Sequence, residues 1–210
     1  MKAYLVVLDG TPISWEAAYS AFHLAARLGS RLIGLAAQTP DGEPAANQWL
    51  AEFETGARVA GIAVESRLVV GLDAETLAAQ AAAVDGVFCG HPSAASQVLL
   101  GDALDSMKCS LWLVPSQTSV RRIVHLSGEA ASGNPVAHFA GLLSRRLGAE
   151  LTVLPLSEIE PAEGRPLTER ILTSLSDINP DLLILGRSDG VLPWRALCQA
   201  PPCLTVCLPP

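Results

Sequence analysis

Along this chain, short runs of consecutive apolar residues alternate with longer stretches in which apolar residues recur every three or four positions. Residues 3–9, AYLVVLD, are apolar until their end, the pattern of a strand covered on both faces. Gly10 and Pro12 turn the chain, Ser14 is placed to cap a helix, and Trp15, Ala18, Phe22 and Ala25 form its apolar stripe up to Gly29. Residues 31–37 predict a second strand and the polar segment 39–48 a loop. Trp49, Phe53 and Val59 then anchor a second helix that runs to Gly61. A third strand over 63–70 stops at Gly71, and an alanine-rich helix over 73–83 follows. Val84 to Cys89 reads as a buried strand, Gly90 to Ala95 as a loop, Ser96 to Met107 as a helix and Leu111 to Val114 as a strand. Leu100, Ala103, Leu104 and Met107 would form the buried face of that helix. Strictly alternating strands and helices imply a mostly parallel sheet covered by helices, because parallel neighbours need crossover connections.

After the polar linker 116–120 (SQTSV) the same grammar begins again. Residues 121–128 predict a strand, with Ser127 where Asp9 stood. Residues 144–154, SRRLGAELTVL, echo 25–35, AARLGSRLIGL, at an offset of 119. DLLILG (181–186) echoes DGVFCG (85–90) at an offset of 96, and CLTVCLP (203–209) echoes CSLWLVP (109–115) at 94. This is an internal repeat. The drop in offset from 119 to 96 means that 23 residues, a helix and a strand, are missing between the second and fourth strands of the second half. The expectation is two α/β units, 1–116 and 121–210, the second a truncated copy.

Composition narrows the classes. With 50% apolar and 17% charged residues, 210 residues hold ample material for a core. No apolar run approaches the ~20 residues of a membrane span, and MKAYLVVLDG meets an acidic residue too early for a signal peptide, so a cytoplasmic protein is expected. Residues 1–116 carry 6 Lys/Arg against 12 Asp/Glu and residues 117–210 carry 8 against 9, so neither half favours nucleic acid. Five cysteines, an odd number, are expected as free thiols, and Cys89, His91 and the C-terminal cysteines lack the paired spacing of a metal site.

Strand, glycine turn and helix start over Val84–Met107 make a place where unpaired helical amides can meet an anion. Four features of the chain occur in one order: D-G closing the first strand, A-R-L-G-x-R-L, D-x-x-x-x-G closing the fourth strand, and C-x-x-x-x-x-P at the fifth. In these the chain resembles the universal stress protein family, in tandem form. The resemblance implies two adenine-nucleotide-alpha-hydrolase-like units, each a doubly wound parallel sheet of Rossmann-like type, and it makes a homodimer an expectation. One branch of that family binds ATP through G-x-x-G-x(9)-G-[ST] after the fourth strand. By resemblance Gly90 and Gly101 would be phosphate glycines, Asp9 would face the adenosine, and Val70 with Gly71 would border the base; as plain structure, Asp9 caps a turn and Val70 is core. The motif is damaged: Ser93 replaces a glycine, the spacing from Gly90 to Gly101 is short, and Asp102 stands where a hydroxyl would donate to phosphate. The second half keeps Gly186 and Gly190, but Pro193, Pro201 and Pro202 break the helix that should follow.

Two enzymatic motifs compete. GRSDG (186–190) matches the nucleophile elbow G-x-S-x-G, yet the last histidine, His138, precedes it, against the order of that fold. LSGEAASGN (126–134) is a distant echo of an adenylate-forming loop, which fold kinship alone does not license. The sequence therefore points to a binding or regulatory protein of the stress response, without catalysis and with degenerate nucleotide motifs. The alternative is an adenine-nucleotide-binding protein that holds ATP in its first half.

Overall fold

The computed structural model describes residues 2–38, 43–103, 107–116, 119–128, 134–159, 164–187 and 193–209; at 43, 44, 102 and 103 it describes the backbone. The chain divides into two compact units, Met1–Gln117 and Thr118–Pro210. Both are α/β, and every strand pair within them is parallel.

In the first unit the order is β1 (Ala3–Leu8), α1 (Pro12–Leu28), β2 (Arg31–Gln38), α2 (Glu43–Val59), β3 (Val64–Val70), α3 (Ala74–Ala81), β4 (Gly86–Gly90), α4 (Ala94–Val98) and β5 (Ser110–Val114). The strands lie side by side as β3-β2-β1-β4-β5. All side chains of β1, β4 and β5 are buried, as continuous apolar runs require. Tyr4, Phe88 and Trp112 pack across these three strands, Phe88 and Trp112 stacked 4.9 Å apart at 17° and Tyr4 edge-on to both. Burial, and secondarily the Asp85 carboxylate, pushes the Tyr4 hydroxyl up to about 12.

The second unit runs β6 (Arg122–Ser127), α5 (Pro135–Leu147), β7 (Glu150–Pro155), a 3₁₀ turn (Leu156–Glu158), α6 (Leu167–Ile178), β8 (Leu182–Gly186), α7 (Trp194–Gln199) and β9 (Leu204–Leu208). Its order is β7-β6-β8-β9, with no counterpart of β3 among the described residues. Pro193 and Pro201 confine α7 to six residues without abolishing it.

The repeated sequence motifs have repeated physical jobs. Gly29 and Gly148 end α1 and α5 in the left-handed region, at φ 64° and 60°, where a side chain would be strained. Asp85 accepts the Ala3 amide at 2.8 Å, and Asp181 accepts the Arg121 and Arg122 amides at 2.9 Å, so each aspartate ties the start of a central strand to its neighbour. Gly90 and Gly186 close those same strands. A Cβ on Gly90 would stand 2.4 Å from the Ile13 carbonyl oxygen, and one on Gly186 2.9 Å from Val136 Cγ2. Each glycine therefore admits the first turn of the helix that follows the unit's first strand.

Several local expectations need correction. Ser14 is not the cap of α1: Thr11 is, accepting the Ser14 amide, because Pro12 with its fixed φ fits the first helical position. The helix α2 starts at Glu43, inside the segment read as loop. Val59 is 85% exposed and anchors nothing; Leu50, Phe53 and Ala57 do. The helix expected over 96–107 begins at Ala94 and passes into a π-helical turn over Leu99–Ala103, which buries Leu99 in place of Leu100. Leu104 lies outside the described residues.

Three stability predictions rest on these backbone positions and caps. Gly90→Ala should lower the denaturant midpoint by an amount equivalent to about 1–3 kcal/mol, since backbone must yield. Gly101→Ala, whose Cβ would meet open space in a helical turn, should be neutral or stabilising by up to ~1 kcal/mol. Asp73 caps α3 by accepting the Thr76 amide at 2.7 Å, which holds its carboxyl below the ordinary value of 3.8. The cap's contribution is therefore full at neutral pH and fades as pH falls through the depressed value, so the stability gap between the protein and Asp73→Ala should shrink in acid.

Candidate functional site

In a doubly wound sheet, ligands enter at the carboxyl ends of the strands, where the strand order reverses. In the first unit that point lies between β1 and β4, because the chain leaves β1 towards β2 and β3 and then returns to β4 and β5 on the other side. Register pairs Val6 with Phe88, so two residues further on Leu8 lies level with Gly90. The loops Asp9–Thr11 and Gly90–Ser93 thus flank the crevice.

Asp9 is half-buried there. Its Oδ1 accepts both the Thr11 amide at 3.1 Å and the Thr11 hydroxyl at 2.5 Å, the bonding of a carboxylate that shapes a turn. Its charge also reaches β4: burial pushes the Cys89 thiol up, and Asp9 adds to the shift. Gly10 is left-handed at φ 76°, and the Trp49 indole of α2 lies against it, 2.1 Å from where a Cβ would be. That ring covers the turn from above.

On the β4 side two of the amides at the start of α4 are already engaged. The Ser93 amide donates to Ser96 Oγ at 2.9 Å and the Ser96 amide to Ser93 Oγ at 3.1 Å, a reciprocal cap. The Ser96 hydroxyl in turn donates to the Ser93 carbonyl at 2.9 Å. Ser96 Oγ also lies within hydrogen-bond distance of Nδ1 of the buried His91, 3.2 Å away. Across the crevice the Ser14 amide is satisfied by Thr11.

The six residues singled out by sequence fall as follows. Asp9 and Gly90 come together across the crevice. Val70 pairs with Gln38 at the end of β3, roughly 10 Å from β1 by strand spacing, and is 83% exposed, so it is not core. Gly71 turns the chain off β3 at φ 75°. Gly101 is exposed in the π-helical turn, and Asp102 follows it with its side chain outside the described residues. Ser188 to Gly190 of the G-x-S-x-G motif and residues 129–133 of the LSGEAASGN loop also lie outside them. Sequence reading missed Trp49, Thr11 and the Ser93–Ser96 cap. Only the last left a signal, and a weak one, since S-x-x-S lacks the acidic fourth residue of the usual pattern.

A strand-turn-helix crevice on a parallel sheet defines a doubly wound α/β protein of the nucleotide-binding architecture. No protein-family model matches the sequence, and no curated protein matches it. Among solved structures, a universal stress protein from Archaeoglobus fulgidus matches 99% of this chain over 98% of its own, with a TM-score of 0.74 at 13% identity. A functionally unknown protein from Pseudomonas aeruginosa PAO1 matches 100% over 93% of its own chain, at 0.65 and 14%. A candidate universal stress protein from Pseudomonas aeruginosa UCBPP-PA14 matches 100% over 94%, at 0.61 and 16%. The chain therefore carries the universal stress protein fold. Among the described residues no helix is long and apolar enough to cross a membrane.

The cysteines give the burial in both units a chemical test. All five are free; Cys89, Cys109, Cys198 and Cys207 are buried, and burial pushes the half-buried Cys203 up to about 12. Because the thiolate is the reactive form, a disulfide reagent at mildly alkaline pH should label the native protein slowly and release five equivalents in denaturant.

Proposed function

We propose that this chain is a universal-stress-type protein: two such units in tandem, the second truncated, acting as a non-catalytic binding and regulatory module that does not hold a nucleoside triphosphate. One observation carries the reading. Four of the amides at the crevice, those of Thr11, Ser14, Ser93 and Ser96, already donate to Asp9, Thr11, Ser96 and Ser93. An anion that used these donors would have to displace the bonds they already make, each worth on the order of 1 kcal/mol. The space beside Gly90, which a phosphate loop keeps clear, is filled by the Ile13–Ser14 backbone.

The second reading, adenine nucleotide held by the first unit, draws on Asp9 at the crevice and on the exposure of Val70. The two readings separate in calorimetry with Mg-ATP. The first expects no saturable heat and no nucleotide retained on purification. The second expects binding that Asp9→Ala weakens and Asp102→Ser strengthens by about one to two decades, because the Asp102 charge opposes the polyphosphate. Micromolar binding that ignored Asp102→Ser would place the ligand elsewhere. Self-association as a homodimer belongs to the same reading and is checked by sedimentation of the intact chain.

A further inference from the structure

Helix α1 places Trp15, Tyr19 and Phe22 at i, i+4 and i+7, so the three rings follow one another along one face. Trp15 and Tyr19 have centroids 6.4 Å apart, and Tyr19 and Phe22 6.2 Å. Phe22 is buried, but Tyr19 remains 48% exposed. Opposite them α2 presents Gln48, Glu52 and Gly56, and the two helices enclose a groove of about 650 Å³, the size of a small-molecule site. Gly56 keeps the floor low, since a Cβ there would stand 2.8 Å from the Phe22 ring.

The groove's electrostatics have one sign. Among the described residues that line it, Glu52 is the only carboxylate and there is no lysine or arginine. Gln48 donates to Glu52 Oε1 at 2.8 Å, which orients the carboxylate without neutralising it. The nearby cation on α2, Arg58, is paired with Glu54 instead. A cation is attracted to the face of an aromatic ring within ~6 Å of the centroid, and two centroids 6.4 Å apart leave positions within that range of both.

We propose that the α1–α2 groove binds a small organic cation, an alkylated ammonium, seated against Trp15 and Tyr19 with its charge toward Glu52. An alkylated ammonium suits this lining better than a metal ion, because it offers apolar groups to the rings and sheds less tightly held water. The site is separate from the strand-end crevice and does not rest on the reading of that crevice.

The test titrates the full chain with choline and with its uncharged carbon isostere, 3,3-dimethylbutan-1-ol, by tryptophan fluorescence and calorimetry. Choline should saturate in the millimolar range and bind about tenfold more tightly than the isostere. The fluorescence change should vanish in Trp15→Phe. Glu52→Gln and Tyr19→Ala, both at exposed side chains and checked for fold by circular dichroism, should each weaken choline about three- to tenfold. Glu52→Gln should leave the isostere unchanged. Equal binding of the isostere, indifference to Glu52→Gln, or no saturation would overturn the proposal. Self-association abolished by Tyr19→Ala would overturn it too, by giving the groove to a second copy of the chain.

Discussion

The contact on which the first unit depends is the one between a helix and a strand end at Gly90. With the Ile13 carbonyl oxygen 2.4 Å from the position of a Cβ, any other residue there would push α1 off the sheet. That single approach sets where α1 starts, and hence where Thr11 caps it and where Asp9 must turn the chain. It also explains how one glycine can look like part of a phosphate loop and serve packing. In a phosphate loop, glycine brings the backbone close to a ligand; here it brings the backbone of the protein's own helix equally close. The steric demand is the same, and sequence alone cannot separate the two.

What was legible follows from this distinction between demand and occupant. Strand runs such as Tyr4–Leu8 and the caps at Gly29 and Gly148 answer to local rules, burial on two faces and a left-handed backbone, and local rules are written in short stretches of sequence. The aspartates Asp85 and Asp181 could be found by their repeat offset, although their role as clips on neighbouring strands needed coordinates. The features of the crevice that bear most on function were not legible. Trp49 reaches Gly10 from about forty residues away, and nothing near either residue announces it. The Ser93–Ser96 cap shifted the start of α4 by two residues, and it spends the Ser93 and Ser96 amides on each other's side chains. Val59 misled because an apolar residue at helical spacing is core only if something lies opposite, and nothing did.

The second unit shows the same logic from the other side: among its described residues no α-helix stands between β7 and α6, and a strand that faces no such helix is free of the demands one would make. In the first unit Gly34 on β2 lets Phe53 of α2 approach to 2.6 Å from where a Cβ would be, and Leu50 packs beside it. At the offset of 119 that joins the two halves, the equivalent position is Val153 on β7. Between β7 and α6 the described residues hold only a short 3₁₀ turn, so no helix needs the space, and Val153 is 50% exposed. Nor do the described residues hold a strand beyond β7. Five consecutive residues of β2 are buried between β1 and β3, whereas no residue of β7 is. β7 carries Glu150 at one end and Pro155 at the other, residues that belong on a sheet edge because a charge resists further pairing and proline has no amide to donate. The side chains of β7 thus match the strand's place at the edge of the second unit, where one flank has no strand to pair with among the described residues.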